Sequence, residues 1–161
     1  MKDVTKGLLP TMALATVKKD SDGNPLRKKY RIVVLGNLDP HPWSKRDCFA
    51  PVLSQMEMRL LLAIAVKLNV IPKQGDVSQA FIQSVLPPDE TYVCRPPAGC
   101  PLTPKNSYWL LLKTLYGLKR SPRHWYDKAK SILEDIGLTQ CPHSPCLFFG
   151  EIIPSKPPIY I

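Results

Sequence analysis

Leu115-Tyr116-Gly117-Leu118-Lys119-Arg120-Ser121-Pro122-Arg123-His124-Trp125-Tyr126 is the stretch that decides the fold, because it places a glycine turn directly before a helix. Pro122 suits the first helical turn, where its missing N–H has no partner to lose. The apolar positions that follow keep helical spacing and are Trp125, Ala129, Ile132, Leu133 and Ile136. Gly137 fits the position after the helix, where the backbone turns left-handed. The stretch therefore predicts a helix that ends before Gly137.

A second helix is predicted upstream of this stretch, directly after Pro51. Ser54-Gln55-Met56-Glu57 has the spacing of a capping box, in which the serine and the glutamate each satisfy a free backbone N–H. Behind it, an apolar stripe at helical spacing predicts a core helix that ends near Asn69, and the stripe consists of Met58, Leu61, Leu62, Ala65 and Leu68.

The remaining segments favour strands. Thr11–Val17 and Lys28–Gly36 flank an Asp-Gly-Asn turn and predict a β-hairpin in which Lys29 and Arg31 share one face. Further strands are expected at a short segment that carries Asp76, at Thr91–Arg95, at a buried run Trp109–Leu112, at Cys146–Phe149 and at Pro158–Ile161. We therefore expect an α+β fold with a mixed, mainly antiparallel sheet and two main helices.

The positive charge of the chain lies in two blocks. The net charge is +9, and Met1–Asp47 holds 10 basic against 5 acidic residues, while Tyr108–Lys130 holds 6 against 1. The second block includes Lys113, Arg120 and Arg123. Two basic blocks that flank a nearly neutral middle suggest that the fold holds a nucleic acid between two of its parts. Lys and Arg side chains favour such binding because they neutralise phosphates and release counterions. A merely solvated basic surface remains an equal alternative.

Cysteine usage and hydropathy indicate an intracellular protein without a membrane segment. The five cysteines include no Cys-x-x-Cys pair, and the N-terminus lacks the layout of a signal peptide. The longest apolar run, Leu60–Val66, is much shorter than the roughly 20 residues that a bilayer span requires.

His124 is expected to be a surface residue or to face a nucleic acid.

Seven motifs, in order and at matching spacing, resemble the reverse transcriptase domain of copia-type retrotransposons. They are Lys29-x-Arg31-Ile32-Val33, Phe49-Ala50-Pro51-Val52, Arg59-Leu60-Leu61-Leu62-Ala63, Gln74-x-Asp76-Val77-x-x-Ala80-Phe81, Tyr92-Val93-x-Arg95-Pro96-Pro97-x-Gly99, Leu115-Tyr116-Gly117-Leu118-Lys119-x-Ser121-Pro122-Arg123-x-Trp125-Tyr126 and His143-Ser144-Pro145-Cys146-Leu147-Phe148. The resemblance covers about three quarters of the chain. It implies a single partial right-hand polymerase domain over 1–161, with a fingers hairpin and connection at about 11–50 and palm and fingers at about 51–161.

The resemblance also implies roles for individual residues. The family transfers a deoxynucleotide from its triphosphate to a primer paired with RNA or DNA, using two Mg²⁺ ions. Asp76 matches the first metal-binding aspartate, and the Val77 carbonyl matches a further ligand. The residues that match nucleotide contacts are Lys29 and Arg31 at the triphosphate, the Gln79 and Ala80 amides, the sugar-excluding Phe81, and the turn of Tyr116, Gly117 and Lys119.

One motif of the family is missing. A Tyr-x-Asp-Asp turn, which supplies the other two catalytic aspartates, is expected shortly after the strand at Pro158–Ile161, and the chain ends first. Asp76 alone cannot hold two divalent cations in catalytic geometry. We therefore expect a truncated reverse transcriptase domain that is inactive by itself. The alternatives are a non-enzymatic basic nucleic-acid-binding module and an unstable remnant with exposed apolar surface.

Overall fold

The computed structural model describes residues 7–101, 103, 104, 106–151 and 158–161. Residues 1–6, which belong to the first basic block, lie outside the described residues. The described part is a mixed α+β fold with mainly antiparallel sheets, as predicted. Its strands and helices are β1 (Leu9–Lys19), β2 (Pro25–Val34), α1 (Lys45–Cys48), α2 (Gln55–Lys67), β3 (Val93–Arg95), β4 (Trp109–Leu110), α3 (Ser121–Asp135), β5 (Thr139–Cys141), β6 (Ser144–Gly150) and β7 (Ile159–Tyr160).

The predicted hairpin is confirmed and forms the longest part of the first sheet. β1 and β2 pair antiparallel, with Thr16 opposite Lys29. Asp20 closes the turn, because its carboxylate accepts the backbone N–H of Asn24 at 2.8 Å and that of Asp22 at 3.0 Å. The sheet order is β2-β1-β3-β4, and a second sheet has the order β5-β6-β7.

Both predicted helices form, and their end signals act as expected. At α2, the Ser54 side chain accepts the Glu57 N–H and the Glu57 carboxylate accepts the Ser54 N–H. At α3, Pro122 lies in the first turn, and Gly137 follows the helix with a φ of +92°. The prediction that α2 is a core helix is wrong: of its residues, all of them described, Ala65 alone is buried. Helical spacing identifies an apolar face but does not say whether another element covers it.

Two strand predictions also need correction. The segment 70–77, which includes Asp76, has no regular secondary structure and is exposed. The run Trp109–Leu112 is a strand only at Trp109–Leu110, and Leu110 and Leu112 are exposed. Segment 70–77 has no pairing strand in the described part of the chain. In the run Trp109–Leu112, alternate residues face the core: Trp109 and Leu111 pack against it, while Leu110 and Leu112 point away.

The hydrophobic core lies where the base of the hairpin meets β3 and the turn before α3. β1 pairs parallel with β3 through Leu9 opposite Cys94. The core cluster consists of Leu9, Val34, Leu86, Tyr92, Cys94 and Leu118. Burial raises the pKa of the Cys94 thiol to about 11, as expected for a thiol without a polar environment.

Two glycines allow the turn before α3 to lie directly against the end of β2. A Cβ atom added at Gly117 would lie 2.0 Å from the Val34 carbonyl oxygen, and one added at Gly36 would lie 2.0 Å from the Gly117 oxygen. Gly117 also has a φ of +94°, which side chains other than glycine rarely adopt. The backbone contact therefore requires glycine at both positions.

In the part of the chain that the structure describes, no helix combines the length and the apolar character needed to cross a membrane.

We expect Gly117→Ala to lower the free energy of unfolding by about 2–4 kcal/mol, because it adds a backbone clash to an unfavourable φ. Gly137→Ala is the matched control: its φ is nearly the same, and no described atom lies within 4 Å of the added Cβ. That variant should lose only about 1 kcal/mol. Urea denaturation measures both, and equal losses would show that the contact between Gly117 and the Val34 carbonyl is not tight.

Candidate functional site

An aromatic pair with a cation beside it marks the candidate site. The rings of Phe81 and Tyr116 meet edge to face, with centroids 4.9 Å apart and planes at 75°. The Arg31 guanidinium carbon lies 5.8 Å from the centroid of the Tyr116 ring. Edge-to-face packing and cation–π attraction are both favourable at these distances. Three residues that the sequence suggested separately therefore lie together in space.

Each member of this cluster is held by a different element. Arg31 belongs to β2, and the Tyr116 carbonyl accepts the Val34 N–H from the end of the same strand at 2.8 Å. Phe81 lies in a 3₁₀ turn, Ala80–Gln83, that starts after Gln79. Gln79 has left-handed backbone angles, φ 54° and ψ 42°, which are uncommon for a residue with a side chain. Gln79 and Ala80 thus form a sharp bend directly before the aromatic residue.

Four cations lie along one face of the hairpin next to this cluster: Lys18, Arg27, Lys29 and Arg31. The antiparallel register pairs Lys18 with Arg27 and Thr16 with Lys29, so that these side chains point to the same side. Desolvation, followed by the charges of Arg31, Lys18 and Arg27, lowers the pKa of Lys29, while the Asp76 carboxylate acts in the opposite direction. Asp76 is therefore within electrostatic reach of the cationic face.

Asp76 and Val77 are both exposed and precede the bend at Gln79. Among the described residues, no group of three or more His, Cys, Asp or Glu side chains is arranged to hold a metal ion. At this site the described part of the chain offers a single carboxylate beside the cationic face.

Lys119 and Arg120, which the sequence suggested as ligand contacts, are engaged by the protein itself. The Lys119 ammonium donates to the Asp39 carbonyl oxygen at 2.9 Å. The Arg120 guanidinium pairs with the Glu90 carboxylate, and its carbon lies 4.6 Å from the centroid of the Trp43 ring. Both side chains hold the turn before α3 in place.

Glu90 is the centre of this buried polar network. Its side chain is 1% exposed, and its second carboxylate oxygen lies 3.0 Å from His124 Nε2. His124 is therefore not the surface residue that we expected, since its side chain is only 11% exposed. Trp43 Nε1 donates to the Asp39 carboxylate at 3.1 Å, which joins the chain before α1 to the same network.

Lys113 and Arg123 keep positions at the surface. Lys113 is exposed and forms an isolated antiparallel bridge with Val85. Arg123 bonds to Asp127 one helical turn later, with Nε 2.9 Å and 3.0 Å from the two carboxylate oxygens, and this bond raises the pKa of Arg123. A pair at this spacing on an exposed helix face contributes little stability.

Sequence reasoning missed three residues that hold the turn before α3 in place: Asp39, Trp43 and Glu90. One signal was available, because Asp39 opens the run Asp-Pro-His-Pro-Trp, and an aspartate commonly accepts backbone N–H groups in such a turn. The Asp39 carboxylate indeed accepts the His41 N–H at 3.1 Å. Nothing in the sequence near Glu90 indicated that its partners are Arg120 and His124.

Comparisons with known proteins agree on one family. A family model described as "Reverse transcriptase (RNA-dependent DNA polymerase)" matches residues 6–152. The "Retrovirus-related Pol polyprotein from transposon RE1" of Arabidopsis thaliana is 34% identical over 83% of this chain and 9% of its own length. The corresponding polyproteins from transposon RE2 of Arabidopsis thaliana and transposon TNT 1-94 of Nicotiana tabacum are each 32% identical over 83% of this chain.

The chain spans about a tenth of the length of these relatives. No solved structure matches the chain significantly. The family match covers most of the chain, and the relatives exceed 30% identity over most of it. The chain therefore belongs to the reverse transcriptase (RNA-dependent DNA polymerase) family, as a copia-type retrotransposon domain.

Proposed function

We propose that this chain binds the incoming deoxynucleotide and an RNA or RNA–DNA template–primer as a fragment of a retrotransposon RNA-directed DNA polymerase. In this proposal 11–50 form a fingers hairpin and connection, and 51–161 form palm and fingers. The observation that supports it best is the packing of Phe81 on Tyr116 with Arg31 over the Tyr116 ring. Lys29 lies on the same hairpin face as Arg31, and the Asp76 carboxylate acts to raise the pKa of Lys29.

The chemistry of the cluster fits a nucleoside triphosphate. The charges of Lys29 and Arg31 suit the phosphates, and the backbone N–H groups at the Gln79–Ala80 bend suit phosphate oxygens. The Phe81 ring supplies bulk that excludes a ribose 2′-hydroxyl. Tyr116 and Gly117, fixed against the end of β2, are the residues proposed to lie beside the base. Lys119 acts by holding this turn on Asp39.

The hairpin face fits the phosphates of a template–primer. Lys18 and Arg27 extend the row of Lys29 and Arg31 along the hairpin, and Lys113 adds positive charge at the surface. Arg123 is included as a surface contact of lower net charge, because Asp127 is paired with it. A cationic face of this kind attracts any nucleic-acid backbone, and the attraction weakens as salt increases. Arg120 is proposed to support nucleic-acid binding indirectly, by holding the turn before α3 in place, since its guanidinium is paired with Glu90.

Reverse transcriptases usually use a divalent metal ion, and Asp76 with the Val77 carbonyl is the proposed attachment point for Mg²⁺ in this chain. Mg²⁺ requires an octahedral set of oxygen ligands and is usually held by more than one carboxylate when two ions are used. The described residues contribute a single carboxylate here, so they do not fit a complete two-metal site. We therefore propose that these 161 residues bind substrates without catalysing synthesis.

Nucleotide binding gives the first test. We expect the chain to bind a deoxynucleoside triphosphate more tightly than the matching ribonucleotide, and Phe81→Ala to reduce the ratio of the two Kd values about tenfold, which corresponds to about 1.4 kcal/mol. Titration calorimetry measures the ratio. Phe49→Ala, at an exposed aromatic outside the cluster, should leave it unchanged. Equal affinity of the unmodified chain for both nucleotides would contradict the role of Phe81.

Salt dependence tests the cationic face of the hairpin. Lys29→Gln should reduce the slope of log Kobs against log salt by about 0.7–0.9 for binding to an RNA–DNA duplex, the effect of one lost phosphate contact. Lys28→Gln removes the same charge from the opposite face of the strand and should leave the slope unchanged. If the two variants behave alike, the face does not direct binding.

Primer extension tests the proposed inactivity. With Mg²⁺ or Mn²⁺ and a poly(rA)–oligo(dT) substrate, we expect no template-dependent incorporation by the purified 161-residue chain, because one carboxylate cannot offset the charge of two divalent cations. Incorporation that disappears in Asp76→Asn but persists in Asp89→Asn, a change at an exposed carboxylate in a turn, would refute this expectation.

A further inference from the structure

Two buried hydroxyl groups fasten the turn that carries Phe81. The Thr114 hydroxyl donates to the Phe81 carbonyl oxygen, and the Thr114 N–H donates to the Ser84 carbonyl at 2.9 Å. The Ser84 hydroxyl donates to the His124 carbonyl in α3 at 3.2 Å. Thr114 is 1% exposed and Ser84 is 3% exposed. The turn is thus attached both to the segment before Tyr116 and to α3.

The Thr114 hydroxyl is not needed to satisfy the carbonyl that it contacts. The Phe81 oxygen also accepts the Ser84 N–H at 3.2 Å, so it would keep a hydrogen bond without Thr114. Burying a hydroxyl is unfavourable unless it is bonded, and valine would fill the same volume without that requirement. The hydroxyl is therefore an additional donor to this carbonyl, and its role is to tie the turn to the segment before Tyr116.

That role follows from the place of Thr114 between the two aromatic residues. Thr114 precedes Tyr116 by two residues, and the Tyr116 carbonyl is fixed by the Val34 N–H at 2.8 Å. The Thr114 hydroxyl connects this fixed segment to the backbone of Phe81 itself. It therefore links the two residues whose rings meet at 4.9 Å.

We propose that Thr114 is a positioning residue that sets the Phe81 ring against Tyr116 and thereby sets discrimination between deoxyribonucleotides and ribonucleotides. The claim that Thr114 sets nucleotide discrimination rests on the proposed nucleotide binding. The claim that Thr114 positions the Phe81 ring does not, because it concerns the geometry of the free protein.

Two variants separate the hydrogen bond from packing. Thr114→Val keeps the volume and removes the donor, whereas Thr114→Ser keeps the donor. In Thr114→Val we expect the nuclear Overhauser contacts between the Phe81 and Tyr116 rings to weaken at least about threefold, and the deoxy-to-ribo Kd ratio to fall about fivefold. Thr114→Ser should retain both. A residue with only a structural role would change stability without moving the Kd ratio.

The outcomes distinguish this inference from the proposed function. Unchanged ring contacts in Thr114→Val overturn the inference, whether or not nucleotide binds, and so does an equal loss in Thr114→Ser. If the unmodified chain binds no nucleotide, the proposed function is overturned, and so is the claim that Thr114 sets nucleotide discrimination. The ring contacts in Thr114→Val then decide whether Thr114 positions the Phe81 ring. If Thr114→Val does not fold, Thr114→Ala replaces it, and Thr114→Ser, which also lacks the methyl group, is its control. Ring contacts that weaken in Thr114→Ala but not in Thr114→Ser support the inference, and unchanged contacts in Thr114→Ala overturn it.

Discussion

The burial of the Glu90 carboxylate is the constraint on which the arrangement of the site depends. A buried carboxylate that loses one partner costs about 3–5 kcal/mol, so its neighbours cannot move independently. Arg120 at the start of α3 and His124 one turn later both bond to it. Arg120 also covers Trp43, and Trp43 bonds to Asp39. One carboxylate therefore fixes the start of α3, the chain before β3 and the connection after β2 together.

The position of the turn before α3 depends on this network. Lys119 donates to the Asp39 carbonyl on one side, while Gly117 lies against Val34 and Gly36 on the other. The backbone of Tyr116 is therefore held by β2, through the Val34 N–H, in addition to the contacts of its ring with Phe81 and Arg31. The position of the aromatic pair therefore depends on residues outside it, among them Asp39 and Glu90, which hold Lys119 and Arg120 of this turn.

The sequence predicted local structure well because local signals act within a few residues. The Ser54 capping box, the Asp22-Gly23-Asn24 turn of the hairpin and Gly137 each depend on neighbours less than six positions away, and all three act in the structure as predicted. The burial of α2 and the strand at Asp76 depend on distant partners, and there the predictions were wrong. For the same reason, charge counting could not tell that Arg120 faces Glu90 while Lys29 faces outward. The resemblance found the residues of the aromatic cluster, but not Thr114, which acts through a backbone atom.

Most of the β1–β2 hairpin extends beyond the rest of the first sheet, which affects how far its cations can be displaced. β1 pairs with β3 only at Leu9 and Pro10, so the rest of the hairpin continues as a two-stranded ribbon. At about 3.3 Å per residue, Arg31 lies about 10 Å from the base at Val34 and Arg27 about 23 Å from it. A rotation of about 10° around the base would move Arg31 by about 2 Å and Arg27 by about 4 Å. A rotation of the ribbon would therefore displace the outer cations further than Arg31, which lies close to the Tyr116 ring. In the proposed complex with a template–primer, this would let Lys18 and Arg27 adjust to the phosphates with little change at the aromatic pair.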